Sequence, residues 1–369
     1  MERASKFALA GAIAVMASAL VPTPVRADTV RHSFVRAEWR DLGTLGGSYS
    51  AAKDINERLE IVGWGRIPSG HKHAFKFSAG VMTDLDPTSF ESVANAINDS
   101  SIVVGARRLA GEPLFQPATY AAGGMRLLRV PTPSGGCSWG GEATDINDTN
   151  RTVGIGRAFG TACDPSFATD GLWWKTSSST SAPATVLGYP GSAELLRINN
   201  AGLAVGRFVV GGLYQPMSWR PGILRPLTLP TEPVAFDAGK PTAINDGGVI
   251  AGFSLLPTYR FGGRAATRWI TDMSPGEVFA IPPADSREWA PFDINNSNFM
   301  VGDEEGTPWI YHQDFGLVFL PFPAGRECNV VGMTEVIAGR IYAVGDCGTT
   351  SVNTRATIWG IQIRTVSLA

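Results

Sequence analysis

The sequence predicts an all-β protein, a seven-bladed β-propeller of four-stranded antiparallel blades, and three observations carry that prediction. A short phrase recurs seven times: an isoleucine, a polar turn, and a strand that reaches glycine eight residues after the isoleucine. The copies run from Ile55 to Gly63, Ile97 to Gly105, Ile146 to Gly154, Ile198 to Gly206, Ile244 to Gly252, Ile294 to Gly302, and a degraded Ile337-Ala338 to Gly345. Successive copies stand 42, 49, 52, 46, 50 and 43 residues apart, the span of one propeller blade. The third observation is one aromatic per copy at the end of a third strand: Phe77, Tyr120, Trp174, Trp219, Trp269, Tyr311 and Trp359.

Each element has a local reason. In Asn199-Asn200-Ala201-Gly202 and Asn245-Asp246-Gly247-Gly248, asparagine holds the first turn position and glycine the fourth. The asparagine side chain bonds backbone two residues on, and glycine accepts a left-handed conformation. Asn150 and Asn298 take the fourth position in two other copies. This is hairpin chemistry, so the asparagines read as structural rather than as a ring of ligands. A wide, flat side chain once per blade fills the wedge between neighbouring sheets, which makes the aromatics core. A fourth strand closes each repeat, as in Val81 to Leu85, Ile223 to Leu229 and Ile361 to Val366. Phe34 to Leu42 reads as an extra outer strand that ties the N-terminus to the last repeat and closes the ring. Whether it adds a fifth strand there or displaces Ile361 to Val366 is left open by the residues. Composition agrees, since 43 Gly, 25 Pro and 17% charged residues suit short strands joined by turns.

Residues 1–27 have the three parts of a secretory signal: Arg3 and Lys6, an apolar run from Phe7 to Val21, and the small-residue site Val25-Arg26-Ala27. Cleavage is expected before Asp28, leaving 28–369 as one propeller domain, secreted to the periplasm or beyond. No later stretch has the roughly 20 apolar residues of a membrane helix. The mature chain carries 28 basic and 32 acidic residues, which argues against nucleic acid as a partner. A monomer with an extracellular ligand is expected.

The first repeat resembles the unit of the extracellular HAF-repeat proteins. Asp41-Leu42-Gly43-Thr44-Leu45-Gly46-Gly47, the spaced Ser50, Ala52 and Ile55-Asn56, and His73-Ala74-Phe75 match that unit. Later copies depart from the triplet, reading Gln116-Pro117-Ala118, Gln215-Pro216-Met217 or Arg355-Ala356-Thr357. The resemblance implies a secreted repeat protein and carries no activity onto particular residues.

Four cysteines behind a signal sequence point to two disulfides. Cys137 and Cys328 hold one slot ahead of the first strand, ten residues before Asn147 and Ala338, while Cys163 and Cys347 follow second strands. Those loops emerge on one face, so the expected pairs are Cys137 with Cys163 and Cys328 with Cys347. That face carries the variable loops, where a rigid scaffold places binding residues. Its candidates are Trp64, Arg66, Arg107, Arg108, Arg157 and Arg207 in the first four blades, and Asp303, Glu304 and Asp346 in the last two. A positive and a negative arc would suit an anionic or zwitterionic ligand such as an acidic saccharide.

Catalytic signals are weak. Gly136-Cys137-Ser138-Trp139-Gly140 matches a serine-hydrolase elbow as a string, but a strand follows where a helix is required. His71 and His73 lack a further strong ligand at metal spacing, so no metal or other cofactor is read here. The expected function is a non-enzymatic scaffold that binds a saccharide, peptide or protein on the loop face. The alternative is an extracellular polysaccharide hydrolase or lyase.

Overall fold

In the computed structural model, residues 30–131, 138–159, 169–175, 185–187, 192–232, 235–255, 263–280, 289–349 and 353–367 are described. They form seven four-stranded antiparallel sheets arranged as a seven-bladed β-propeller. No helix occurs among them, and none is therefore long and apolar enough to cross a membrane. Blade 1 shows the plan, with strands Ser50–Ile55, Ile61–Arg66, Lys72–Ser78 and Val81–Asp84 paired in that order from the axis outward. Blades 2 to 6 repeat it over 91–127, 138–186, 193–226, 238–280 and 289–319.

The recurrent glycine is explained by the strand beside it. In every blade the first strand carries a bulge just before its last residues, between Ala52 and Asp54 in blade 1 and between Leu195 and Arg197 in blade 4. The bulge drives a carbonyl of that strand against the glycine opposite. A Cβ on Gly63, Gly105, Gly154, Gly206, Gly252, Gly302 or Gly345 would lie 2.0, 2.0, 2.3, 1.9, 2.3, 2.1 or 1.7 Å from such an oxygen. Only glycine fits.

The asparagines are structural in a way their spacing did not reveal. Asn56 Oδ1 accepts the N–H groups of Arg58 and Glu60 within its own turn, and its Nδ2 donates to Asn98 O of the next blade at 3.0 Å. The same inter-blade bond runs from Asn98 to Asn147, Asn199, Asn245, Asn295 and finally Thr334. Asn199→Asp would set a carboxylate oxygen against the Asn245 carbonyl, and we expect it to cost about 2–3 kcal/mol in chemical denaturation. A wild-type midpoint would remove the ladder as a source of stability.

The aromatics fill the seams as expected. Trp174, Trp269 and Trp359 are buried, and their indole N–H groups donate to Arg129, Thr228 and Pro321 carbonyls that follow the outer edge of the preceding blade. Tyr311 is half-buried and packs on Phe279 instead.

Blade 7 corrects the sequence reading twice. Its third strand continues through Gly360 as one strand, Arg355–Ser367, and the closing strand Val30–Asp41 pairs with it as the fourth. There is no separate strand over 361–366. The degraded repeat is also displaced. Met333 pairs with Ala343 as Ile55 pairs with Ile61, so Met333-Thr334 occupies the isoleucine-asparagine slot, and Ile337 lies in a longer turn bridged to Arg340.

Cys328 and Cys347 stand opposite each other on the first two strands of blade 7 and are disulfide-bonded. The pair Cys137 and Cys163, the segment 1–27 and its cleavage site lie outside the described residues.

Candidate functional site

The axis of the ring is lined by the first strands, and two positions on them decide its chemistry. Directly before the isoleucine, six repeats carry Asp54, Ala96, Asp145, Arg197, Ala243 and Asp293. Three of these are carboxylates that each span a blade seam. Asp54 Oδ2 accepts from Ile97 N–H at 2.8 Å, Asp145 Oδ2 from Ile198 N–H at 2.8 Å, and Asp293 Oδ2 from Met333 N–H at 2.7 Å. Burial raises all three, Asp145 to about 6 and Asp293 to about 7, with Asp54 pushed well above its ordinary value. Arg197 opposes the rise across the axis.

These shifts have a signed consequence. A carboxyl whose pKa is higher folded than unfolded binds its proton more tightly in the native state, so stability falls as pH rises from the unfolded value near 4 through the folded one. The free energy of unfolding should be greater at pH 5 than at pH 8, by about 2 kcal/mol. Asp293→Asn should flatten this slope while costing stability at pH 5, since an amide then faces an N–H. An unchanged slope would show that Asp293 is not responsible.

At the asparagine face the channel opens into a cavity of about 220 Å³ bordered by Glu57, Asp99, Asp148, Asp246 and Glu335. Each backbone N–H in this circle donates to the side chain of the next blade, ending with Glu335 N–H on Glu57 Oε1 at 2.7 Å. Burial raises Glu57 and Glu335 as well.

The loop face is the opposite in charge. Lys240 stands four residues before its isoleucine, on the first strand of blade 5. With Arg197, Arg207 and Arg264 it lines a cavity of about 230 Å³, whose apolar walls include Leu196, Phe253 and Phe292. Burial, reinforced by Arg207, Arg197 and Arg264, lowers the Lys240 ammonium to about 8, against the attraction of Glu194. Arg207 is held in place by Glu194 at 2.6 Å and by the Tyr214 ring at 3.8 Å. Arg264 lies over Phe253 at 4.7 Å. Arg207 also borders a second cavity of about 360 Å³ with Arg157, and Arg157 borders a third of about 410 Å³ with Lys72 and Arg108. The three form a basic groove across blades 1 to 5.

The predicted site residues therefore divide. Arg157 and Arg207 belong to this groove. Trp64 is stacked on Tyr49 at 4.4 Å with Lys72 over its ring at 4.6 Å, next to the groove's far end. Arg66 Nη1 caps Gly70 O and shapes a turn. Arg107 is buried and pairs with Asp86 at 2.8 Å, which removes it from the ligand set. Arg108 is tied to Glu91 at 2.5 Å between the rings of Phe90 and Phe115. Asp346, raised to about 6 by burial, lies near Lys53 and accepts from Asn329. Asp303 and Glu304 follow on the second strand of blade 6. Among the described residues, Asp303, Glu304, Asp346 and His71 form no joint cluster of ligating groups. His73 is buried and bonds Asp84 at 2.7 Å, and Ser138 opens a strand.

Arg197, Lys240 and Arg264 were missed. The available signal was a charge directly before the isoleucine, Asp, Asp, Arg and Asp ahead of Ile55, Ile146, Ile198 and Ile294, and Lys240 beside Pro241.

No known protein family profile matches the chain, and no curated protein sequence does. Solved structures similar to it are propellers. A gluconolactonase of Xanthomonas campestris is 11% identical, with 90% of this chain and 95% of that one covered and a TM-score of 0.43. A structure from a study of two prolyl endopeptidases is 11% identical at a TM-score of 0.52, over 85% of this chain and 50% of that one. TolB of Acinetobacter baumannii is 10% identical over 87% and 66% of the two chains, with a TM-score of 0.40. This likeness shows the fold. Enzymes recur among these neighbours, which tells against the expectation of a non-enzymatic binding scaffold, and that expectation is withdrawn; at this identity no activity passes from them to this chain.

Proposed function

We propose that this chain is an enzyme that cleaves an acidic saccharide by β-elimination, working in the basic cavity on the loop face. The observation that carries the reading is Lys240, a half-buried amine among three guanidinium groups, with its pKa lowered to about 8. A uronate carboxylate placed against Arg197, Arg207 and Arg264 has its charge neutralised, which acidifies the proton on the adjacent carbon. Roughly a tenth of the Lys240 amine is neutral at pH 7, enough for a general base. Nζ takes that proton, its electrons form the carbon–carbon double bond, and the glycosidic C–O bond on the next carbon breaks. The departing oxygen takes a proton from solvent, and Lys240 returns its own to water. Phe253, Phe292 and Tyr214 offer apolar faces to the sugar ring.

Export before Asp28 is part of the same proposal, supported by the Cys328–Cys347 disulfide. Membership among the HAF-repeat proteins is proposed on the first repeat alone. There the matched residues serve the fold: Ser50 Oγ bonds Gly43 O and accepts Ala356 N–H, and Phe75 is fully buried.

Incubating residues 28–369 with poly-uronic acids, sulfated uronate copolymers and neutral glucans tests the reading. Growth of ultraviolet absorbance from the conjugated unsaturated product is expected with acidic polymers only. Acidic polymers recovered intact, or neutral ones hydrolysed, would overturn it.

A further inference from the structure

The closing strand Val30–Asp41 brings His32 against the hairpin that joins the last two strands of blade 6. His32 N–H donates to Asp314 Oδ2 at 2.6 Å, and its ring meets His312 edge-on at 5.0 Å. His312 is 3% exposed and stacks on Phe299 at 4.4 Å. Its Nε2 lies 3.2 Å from Ser297 O. A carbonyl only accepts, so Nε2 carries the proton and Nδ1 presents its lone pair. That lone pair faces Asp314 Oδ2 at 3.5 Å and takes a long 3.2 Å contact from Asp314 N–H. Asp314 N–H fills that lone pair in this structure, and a cation that took its place would face Asp314 Oδ2 as well. One ligating atom from each of His32, His312 and Asp314 lies within 4.8 Å of the other two.

We propose that His32, His312 and Asp314 bind a divalent transition-metal cation of the Zn²⁺ class, which fastens the closing strand to blade 6. Two imidazoles and one carboxylate are a donor set such ions favour, with a fourth position left to water. The Nε2–H bond to Ser297 is the outer contact that orients a ligating imidazole. Coordination at about 2.0 Å per ligand draws the three groups closer than they stand here. The half-exposed His32 ring, whose Nδ1 lies 3.0 Å from Thr365 Oγ1, must supply that movement, and the long Asp314 N–H contact is what the ion displaces. Sequence reading considered a metal only at His71 and His73, because the partners here come from opposite ends of the chain.

The test is calorimetric titration of chelator-treated, untagged 28–369 with Zn²⁺, alongside thermal melting with and without the ion. One Zn²⁺ per chain is expected, with a saturable rise in melting temperature that a chelator reverses. His32→Gln, on the half-exposed strand, should fold and weaken binding at least ~10-fold, as should Asp314→Asn. His71→Ala should leave binding unchanged. The visible spectrum of bound Co²⁺ provides a second readout on the same variants. Absence of one-to-one binding, binding untouched by His32→Gln, or stabilisation that follows pH and not metal would each overturn the site.

Discussion

Gly206→Val is expected to abolish the folded propeller or to cost well over 3 kcal/mol, the upper end of ordinary overpacking. Its Cβ would stand 1.9 Å from Glu194 O and 2.9 Å from the carbonyl carbon. Relief requires the first strand of blade 4 to retreat, and that strand cannot move alone. Its Asn199 holds blade 5, and its Ile198 N–H is held by Asp145 of blade 3. Gly222→Ala is the control. It has open space around it but a φ of +82°, so it should lose only about 1 kcal/mol. Chemical denaturation of both variants separates crowding from backbone strain. Near-equal losses would show that the bulge is free to relax.

Lys240→Met is expected to lower turnover of an acidic polymer by roughly 10² to 10⁴-fold, the range of a lost general base. The wild-type rate should rise with pH and level off near 8, as the amine becomes neutral. Lys240→Arg separates two roles. A residue that only binds the carboxylate is replaced well by arginine, which stays charged; a base is not. Full activity in the arginine variant, or a rate independent of pH between 6 and 9, would remove Lys240 from the proton-transfer step. Since burial disfavours the Lys240 ammonium, the methionine variant should keep or raise its denaturation midpoint.

What could be read before folding follows from how local each cause is. The turns are legible because asparagine and glycine act within four residues, and the seam aromatics because one recurs per blade. The loop face is legible as a face, and Arg157 and Arg207 sit on it. The charged residues of the axis were obscured by the bulge, which breaks the alternation of the first strand at Asp54, Asp145, Arg197 and Asp293. Arg107 misled for a different reason. It lies two residues after its repeat glycine, where Arg207 and Arg157 lie one and three, so strand alternation turns it to the other face of its sheet, where Asp86 pairs with it. In blade 7 the regular glycine spacing hid a turn longer than the rest.

Val30 pairs with Ser367 and Asp41 with Thr357, so the first strand of the fold waits for the last one to be made. During synthesis every other blade can assemble from neighbouring residues, whereas this sheet needs contacts across more than 300 positions. Such long-range pairing is slow. Until it forms, the edge of Arg355–Ser367 is unpaired and able to accept a strand from another chain. The interval before closure is thus the period of greatest risk for self-association, and it shortens with anything that holds the N-terminal strand in place.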